Sequence, residues 1–543
     1  MNGKGLVIWF TMLAGFCQSL RAQKSFVESP DAYLGQMPPA SRAASSSLWG
    51  DLKAGRYGVG FRTIFRYDSS RPWMITRHYR QPFSPDFDGR PIQINIWYPA
   101  PRVLLGKRME YKDYAEQSAP PAFVKFMHAM ATSNHEGAIG SVPESETPQL
   151  LATQMNAVLN AKPAPGHFPA VLYFGGYLND NVVLGEYLAS RGYVFAAISL
   201  IGPSEEQILP SLTSDEVGVA VQDMDFAWSI LQAEPNVDKG RLAVMGQSFG
   251  GSEAISFAMH NTNVSAVIGL DGAYGFRGNA TALTNSHGYD PATMRAALLD
   301  LRRAQGAQGN AVLDPSIVES FRYSERISIT MERMHHSDFT SFAIIGSQFH
   351  APLPGYALNG WNREIGRTGY ERVCRIVLSM LDAQLKSDPS GLAAINREVI
   401  QATGLVMRQM EAAVPPPSPA DAVALTCEKG LDTAKNEFVS TCRPDALATC
   451  VDFNRFNTAA YDLLDQQRAM DALVVFQLNA WAHPKSAGAQ DSLADGYIAV
   501  KSMGNARQAL ENAIALAQSD PSLDAGARAS FVADETAKLL RLK

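Results

Sequence analysis

The chain has 543 residues, 46% of them hydrophobic and 18% charged, with a formal net charge of −6. That length exceeds one ordinary hydrophobic core and predicts two or three domains, and the composition excludes a disordered chain. There is no basic stripe and no run of Lys and Arg, which argues against a nucleic-acid partner.

Residues 1–22 read as a secretory signal. Lys4 gives a positive start, Leu6 to Phe16 is an apolar core, and Ala22 is a small residue before Gln23. The apolar run is shorter than the ~20 residues a membrane span needs. Cys17 would suit lipid attachment, but Phe16 precedes it where a small residue is expected. The mature chain is therefore expected to be exported, periplasmic or secreted, with no transmembrane span. Removing the signal leaves Cys374, Cys427, Cys442 and Cys450. Their three pairings are not distinguished by spacing, though the cluster at 427–450 predicts a local disulfide. The absence of a C-x-x-C pair argues against a cysteine metal site.

Residues 23–90 form an irregular, polar lead. Pro91 to Pro99 alternates apolar and polar residues and predicts an amphipathic antiparallel strand. Residues 101–165 read as an insertion with helical pieces such as Thr147 to Leu159. From Pro169 the pattern alternates strand and helix: strand Pro169–Phe174, a turn at Gly175-Gly176, helix Val182–Ser190, strand Tyr193–Leu200 and helix Asp215–Gln232. Strand Arg241–Met245 then leads into Gly246-Gln247-Ser248-Phe249-Gly250 and a helix over 251–258. Strand Val264–Leu270 follows and ends at Asp271.

Residues 272–335 read as a second insertion, with an arginine-rich helix from Met294 to Gln305 that would cap the site. Ile327–Met331 reads as an edge strand. Helix Arg372–Lys386 closes a domain over 91–412, and 413–452 is a proline-rich linker with a cysteine-containing segment. Near-continuous apolar strands alternating with helices predict a mostly parallel sheet covered by helices on both faces. Function in such sheets gathers at the carboxyl ends of the strands.

The Gly-x-Ser-x-Gly segment between a strand and a helix has the form of a nucleophile elbow. Ser248 stands at the apex of a strained turn, and the helix behind it offers amide N–H groups to an oxyanion. A serine nucleophile needs a base, and the base an orienting acid, which should follow it in the order acid then histidine. Asp271 lies 23 residues on, with Asp290, Asp300 and Asp314 as competitors. The candidate bases are His335, His336 and His350, and adjacent histidines in extended chain point opposite ways, so only one of the first two should face Ser248.

Gly-Gln-Ser-Phe-Gly-Gly, Leu270-Asp271-Gly272 and His336-Ser337-Asp338-Phe339 together resemble the platelet-activating-factor acetylhydrolase group of α/β-hydrolases, close to dienelactone-hydrolase-like relatives. Ile96-Trp97-Tyr98-Pro99 is similar to the entry strand of that family, and the resemblance spans roughly 90–380. It implies an α/β-hydrolase fold with Asp271 as the acid and His336, from the His-x-x-Phe match, as the base. Relatives carry His-Gly after the strand that here ends in Phe174-Gly175-Gly176-Tyr177. The backbone amide is what binds an oxyanion, so Tyr177 N–H paired with Phe249 N–H is expected to serve. The implied reaction is hydrolysis of a small or lipid-like carboxylic ester through an acyl-enzyme, with no metal or organic cofactor. A peptidase or amidase would use the same triad.

Residues 453–543 are helical and Ala/Leu-rich. Tyr461 recurs as Tyr497 and Pro484 as Pro521, spacings of 36 and 37 that resemble tetratricopeptide hairpins. A small all-α tail is expected, either binding a protein partner, self-associating, or forming plain hairpins. If the hydrolase domain were idle, the chain would be a scaffold displaying this tail.

Overall fold

The computed structural model describes residues 45–71, 89–102, 106–117, 141–175, 179–198, 201–202, 211–304, 312–352, 360–442 and 447–542. The expected signal at 1–22 lies outside them. Among the described residues no helix is long and apolar enough to cross a membrane. The chain divides into two compact units, 1–412 and 413–543.

The first unit is built on one eleven-stranded sheet: β1 Gly58–Asp68, β2 Arg90–Ala100, β3 Arg108–Glu110, β4 Gln154–Leu159, β5 Phe168–Phe174, β6 Val194–Ile198, β7 Val237–Gln247, β8 Val264–Leu270, β9 Ala297–Arg303, β10 Arg326–Met331 and β11 Leu405–Met410. Their spatial order is β11-β10-β9-β8-β7-β5-β6-β2-β1-β4-β3. The six strands from β10 to β6 are mutually parallel, and β2 joins them antiparallel through β6. This is the α/β-hydrolase arrangement. The chain moves outward from β5 to β6, then crosses back to place β7 on the other side of β5. The strand order therefore reverses at the carboxyl ends of β5 and β7, where open α/β sheets place their sites.

Alternation along each strand splits the core in two. Val171, Tyr173, Ala243, Met245 and Ile268 pack on one face with α1 (Val182–Ser190) and with α4 (Arg363–Leu385). Ala170, Leu172, Phe174, Val244 and Val267 pack on the other with α2 (Ser214–Gln232) and α3 (Phe249–His260). β5 and β6, buried on both faces, are apolar at every position and read as continuous hydrophobic runs.

Several expectations are corrected. The irregular lead contains β1, an eleven-residue strand paired antiparallel along the whole of β2. Between β1 and β6, β2 is buried at every position, so it is not amphipathic; Gln93 and Asn95 are buried and bond to one another. Residues 101–165 supply β3 and β4 to the sheet. The helix predicted over Thr147 to Leu159 stops at Leu151, and Gln154–Leu159 is strand β4. Met294 to Gln305 is not a capping helix: Ala297–Arg303 is β9, inserted between β8 and β10. Ala, Leu and Arg favour helix intrinsically, but pairing on both edges overrides that preference. β10 is not the edge strand, because β11, which the sequence reading missed, covers it antiparallel.

The second unit is all helical. Residues 413–452 are not only linker, since α6 (Pro419–Lys429) and α7 (Leu431–Thr441) contribute Val423 and Phe438 to the core of this unit. A short α5 (Ser390–Ile400) precedes them in the first unit. The tail continues as α8 Phe453–Asp465, α9 Ala469–Ala482, α10 Ala487–Ala499, α11 Met503–Ser519 and α12 Ala525–Arg541. Cys442 and Cys450 form the local disulfide; Cys374 is buried and unbridged, and Cys427 is exposed.

Glu186 of α1 joins three segments of the first unit. Its buried carboxyl accepts from Trp49 Nε1 at 2.8 Å, Tyr114 Oη at 2.9 Å and the amides of Asn156 and Ala157 at 3.0 and 2.9 Å. Burial raises its pKa and these donors oppose the rise. Glu186→Ala would leave several buried donors unsatisfied, at about 1–3 kcal/mol each. The expected outcome is a cooperative loss of about 3 kcal/mol or more, read as a lower guanidinium midpoint, with the N-terminal strands proteolysed first.

Candidate active site

Ser248 caps the junction of β7 and α3 with φ 58° and ψ −124°, in the left-handed half of conformational space. The glycines beside it are needed for close approach. A Cβ on Gly246 would lie 1.9 Å from the Gly250 carbonyl oxygen, and one on Gly250 would lie 2.4 Å from that of Phe174. The Ser248 backbone is also tied on both sides. Its N–H donates to Leu270 O at 3.1 Å, and its carbonyl accepts from Gly251 N at 3.1 Å and Ala273 N at 2.8 Å. Those bonds fix the elbow against the residues that flank Asp271.

Asp271 follows β8, itself at φ 49°, and is 1% exposed. Its N–H donates to Leu301 O at 2.7 Å. Oδ2 accepts from His336 Nδ1 at 2.5 Å and from Arg303 Nη1 at 2.7 Å, and Oδ1 accepts from the Arg303 amide at 3.0 Å. The His336 ring is one-third exposed, so the acid is dry and the imidazole reaches solvent. With Nδ1 donating to a carboxylate, a neutral ring presents its Nε2 lone pair outward. That nitrogen meets Gln247 Nε2 at 3.0 Å, on the residue preceding Ser248.

His336 opens a short 3-10 turn to Phe339, and His335 faces the other way, its buried ring 4.3 Å edge-on from Trp361. The turn is held by Asp338, whose Oδ2 accepts from His335 N–H at 2.7 Å and Trp361 Nε1 at 2.9 Å. Past the turn, Ser341 Oγ accepts from Val183 N at 3.1 Å at the start of α1 and meets Tyr370 Oη at 3.0 Å, which anchors the histidine segment to two helices.

The competing candidates are engaged elsewhere. Asp290 and Asp314 cap local turns through Ala292 N and Ser316 N, while Asp300 pairs with Arg302 and accepts from Tyr274 and Ser328. His350 is exposed and lies 3.4 Å from Glu146. Of the expected oxyanion donors, Phe249 N–H is the first amide of α3, which has no partner within its own helix; Tyr177 lies outside the described residues. Among the described residues no group of three or more His, Cys, Asp or Glu is placed to hold a metal. The sequence reading missed Arg303, Asp338 and Trp361. Arg303 was hidden because its segment read as a helix, whereas Gln247 was in plain view within the elbow motif.

No family model matches this chain, and no curated protein does. Among solved structures 394 chains are similar to it. One is a ferulic acid esterase from Streptomyces cinnamoneus, 20% identical, aligned over 66% of this chain and 99% of that one with a TM-score of 0.44.

Two side chains of the histidine turn titrate in opposite senses. Burial pushes the Asp338 carboxyl up to about 6. Burial, with Arg363 and Arg303 nearby, lowers the His335 imidazole to about 4. A carboxyl raised on folding contributes stability below its unfolded value of ~4 and loses it as pH rises through 6. An imidazole lowered on folding contributes above ~6.5 and loses it as pH falls through 4. In the wild type the two slopes oppose one another. Asp338→Asn should raise the urea midpoint at about pH 7.5, with the gain gone by about pH 4; a variant equally less stable at both would refute this account.

Proposed function

We propose that this chain is an exported serine hydrolase that cleaves carboxylic esters through Ser248, His336 and Asp271. The observation that carries the reading is the 2.5 Å bond from His336 Nδ1 to the buried Asp271, at the sheet rim that also bears a conformationally strained serine. A dry carboxylate fixes the tautomer and stabilises the imidazolium that forms when the ring takes a proton.

In this mechanism His336 Nε2 exchanges the Gln247 amide for the Ser248 hydroxyl, a tightening expected on substrate binding. Ser248 Oγ attacks the ester carbonyl as Nε2 takes its proton. The oxyanion is held by Phe249 N–H, the first amide of α3; losing one such donor typically costs ~10²–10³ in rate. Collapse of the tetrahedral intermediate expels the alcohol, which receives the proton from His336. Water then attacks the acyl-enzyme with His336 as base, releasing the carboxylic acid and free Ser248. The disulfide in the second unit supports export, because such bonds persist in oxidising compartments. Helices α8 and α10 begin 34 residues apart, as do α9 and α11. That is the tetratricopeptide period, and it supports a tail that receives a protein partner.

The test is covalent labelling of residues 23–543 with a fluorophosphonate probe, the label being located by mass spectrometry. Label on Ser248, absent in Ser248→Ala and slowed by on the order of 10³-fold or more in His336→Ala, is the expected result. A folded protein that takes no label refutes the proposal.

A further inference from the structure

The end of the sheet remote from Ser248 carries a second concavity, of about 440 Å³. It lies at the amino ends of β5, β6 and β7: Phe168 opens β5, Gly192 precedes β6, and Arg241 stands just before the part of β7 that pairs with β5. The length of β5, about 20 Å, separates it from the Ser248 rim. Four cationic side chains line it from four separate segments: Arg56 before β1, Arg191 after α1, Arg241 in β7 and Lys386 after α4. Among the described lining residues Asp382 is the only carboxylate. A chain of net charge −6 has therefore gathered four positive charges around one negative in a single hollow.

The fold uses only part of this charge. Lys386 Nζ donates to Asp382 and to the Arg191 carbonyl, both at 2.9 Å, and lies 3.9 Å over the Tyr193 ring, while Arg241 pairs with Asp238 at 2.6 Å. Arg191 is less consumed. Its Nη2 donates to Lys53 O at 2.7 Å, but its Nε is buried with no hydrogen-bond partner among the described residues. A buried guanidinium N–H without an acceptor is costly, and an anionic oxygen would supply one. Burial lowers the Lys386 pKa, Asp382 opposes this, and Arg56 and Arg241 lower it further, so the ammonium feels both guanidiniums. Guanidinium and ammonium groups set around one space match the oxygens of a phosphate. The volume falls in the range of small-molecule sites, roughly 300–1,000 Å³, and exceeds what a bare phosphate fills. The Tyr57 ring, edge-on to Phe168 at 5.2 Å and with the Arg56 guanidinium 5.1 Å from its centre, gives the remaining wall an aromatic face. We propose that this hollow binds a small organic phosphate, with the phosphoryl group among Arg56, Arg191 and Lys386 and the organic body against Tyr57, at a site independent of the triad.

Isothermal titration with phenyl phosphate tests this at about pH 7.5, where a phosphate monoester is a dianion. The purified protein should bind it saturably, more weakly as salt is added, and more tightly than it binds inorganic phosphate. Arg56→Glu reverses the charge of an exposed residue, and Arg191→Met removes one guanidinium. Each should raise Kd by about tenfold or more. Both variants should take the fluorophosphonate label on Ser248 at the wild-type rate, because the two sites lie at opposite ends of the sheet. If Arg191→Met does not fold, Arg56→Glu decides alone. Absence of saturable binding, an affinity no better than that for inorganic phosphate, or an affinity unmoved by Arg56→Glu overturns the proposal. So does attachment to phosphatidate vesicles without binding of the soluble phosphate, which would make the patch a membrane contact. The triad reading stands or falls separately, on the Ser248 label.

Discussion

The close backbone approach around Ser248 governs the first unit. A non-glycine residue at φ 58° costs roughly 1–3 kcal/mol and persists only where its surroundings over-determine it. Here Gly246 packs against the Gly250 carbonyl, Gly250 packs against Phe174 of β5, and the Ser248 backbone bonds to residues on both sides of Asp271. β5, β7, β8 and α3 thus meet at the elbow.

Around that point the polarity is graded. Asp271 is dry and paired with Arg303, whose guanidinium lies over the Phe276 ring, and the part-exposed His336 bonds to it. A charge that deep is tolerated only with partners, and Asp271 has three donors. The histidine is supported independently through Asp338, Trp361 and Ser341, so its segment does not depend on the ion pair for its path.

The second unit has its own core around Phe438, Phe456 and Phe476. Its outer helices are linked by charge as well as packing: Lys538 of α12 pairs with Asp491 and Asp495 of α10, and Tyr461 of α8 donates to Asp495 at 2.9 Å. Part-exposed pairs of this kind contribute little each, so the apolar clusters carry most of the packing between these helices.

The sequence by itself determined the elements whose local signals agree with their surroundings. Strands β5 and β6 are apolar at every position, β7 and β8 carry apolar runs at Leu242–Met245 and Ala266–Leu270, helix Val182–Ser190 was read with its observed bounds, and the elbow carried its glycines and flanking periods openly. The chain order Ser248, Asp271, His336 could be read from the sequence, though the choice of Asp271 and His336 came from the family resemblance. Tertiary structure alone decided the rest. Ala297–Arg303 has the composition of a helix and became β9 because two strands offered it hydrogen bonds on both edges. Gly58–Asp68 and Gln154–Leu159 became strands through partners far along the chain. The Arg303–Asp271 contact joins residues 32 apart on neighbouring strands, and no local pattern encodes it. Short-range periodicity reports which face of an element is buried; it does not report which neighbour buries it.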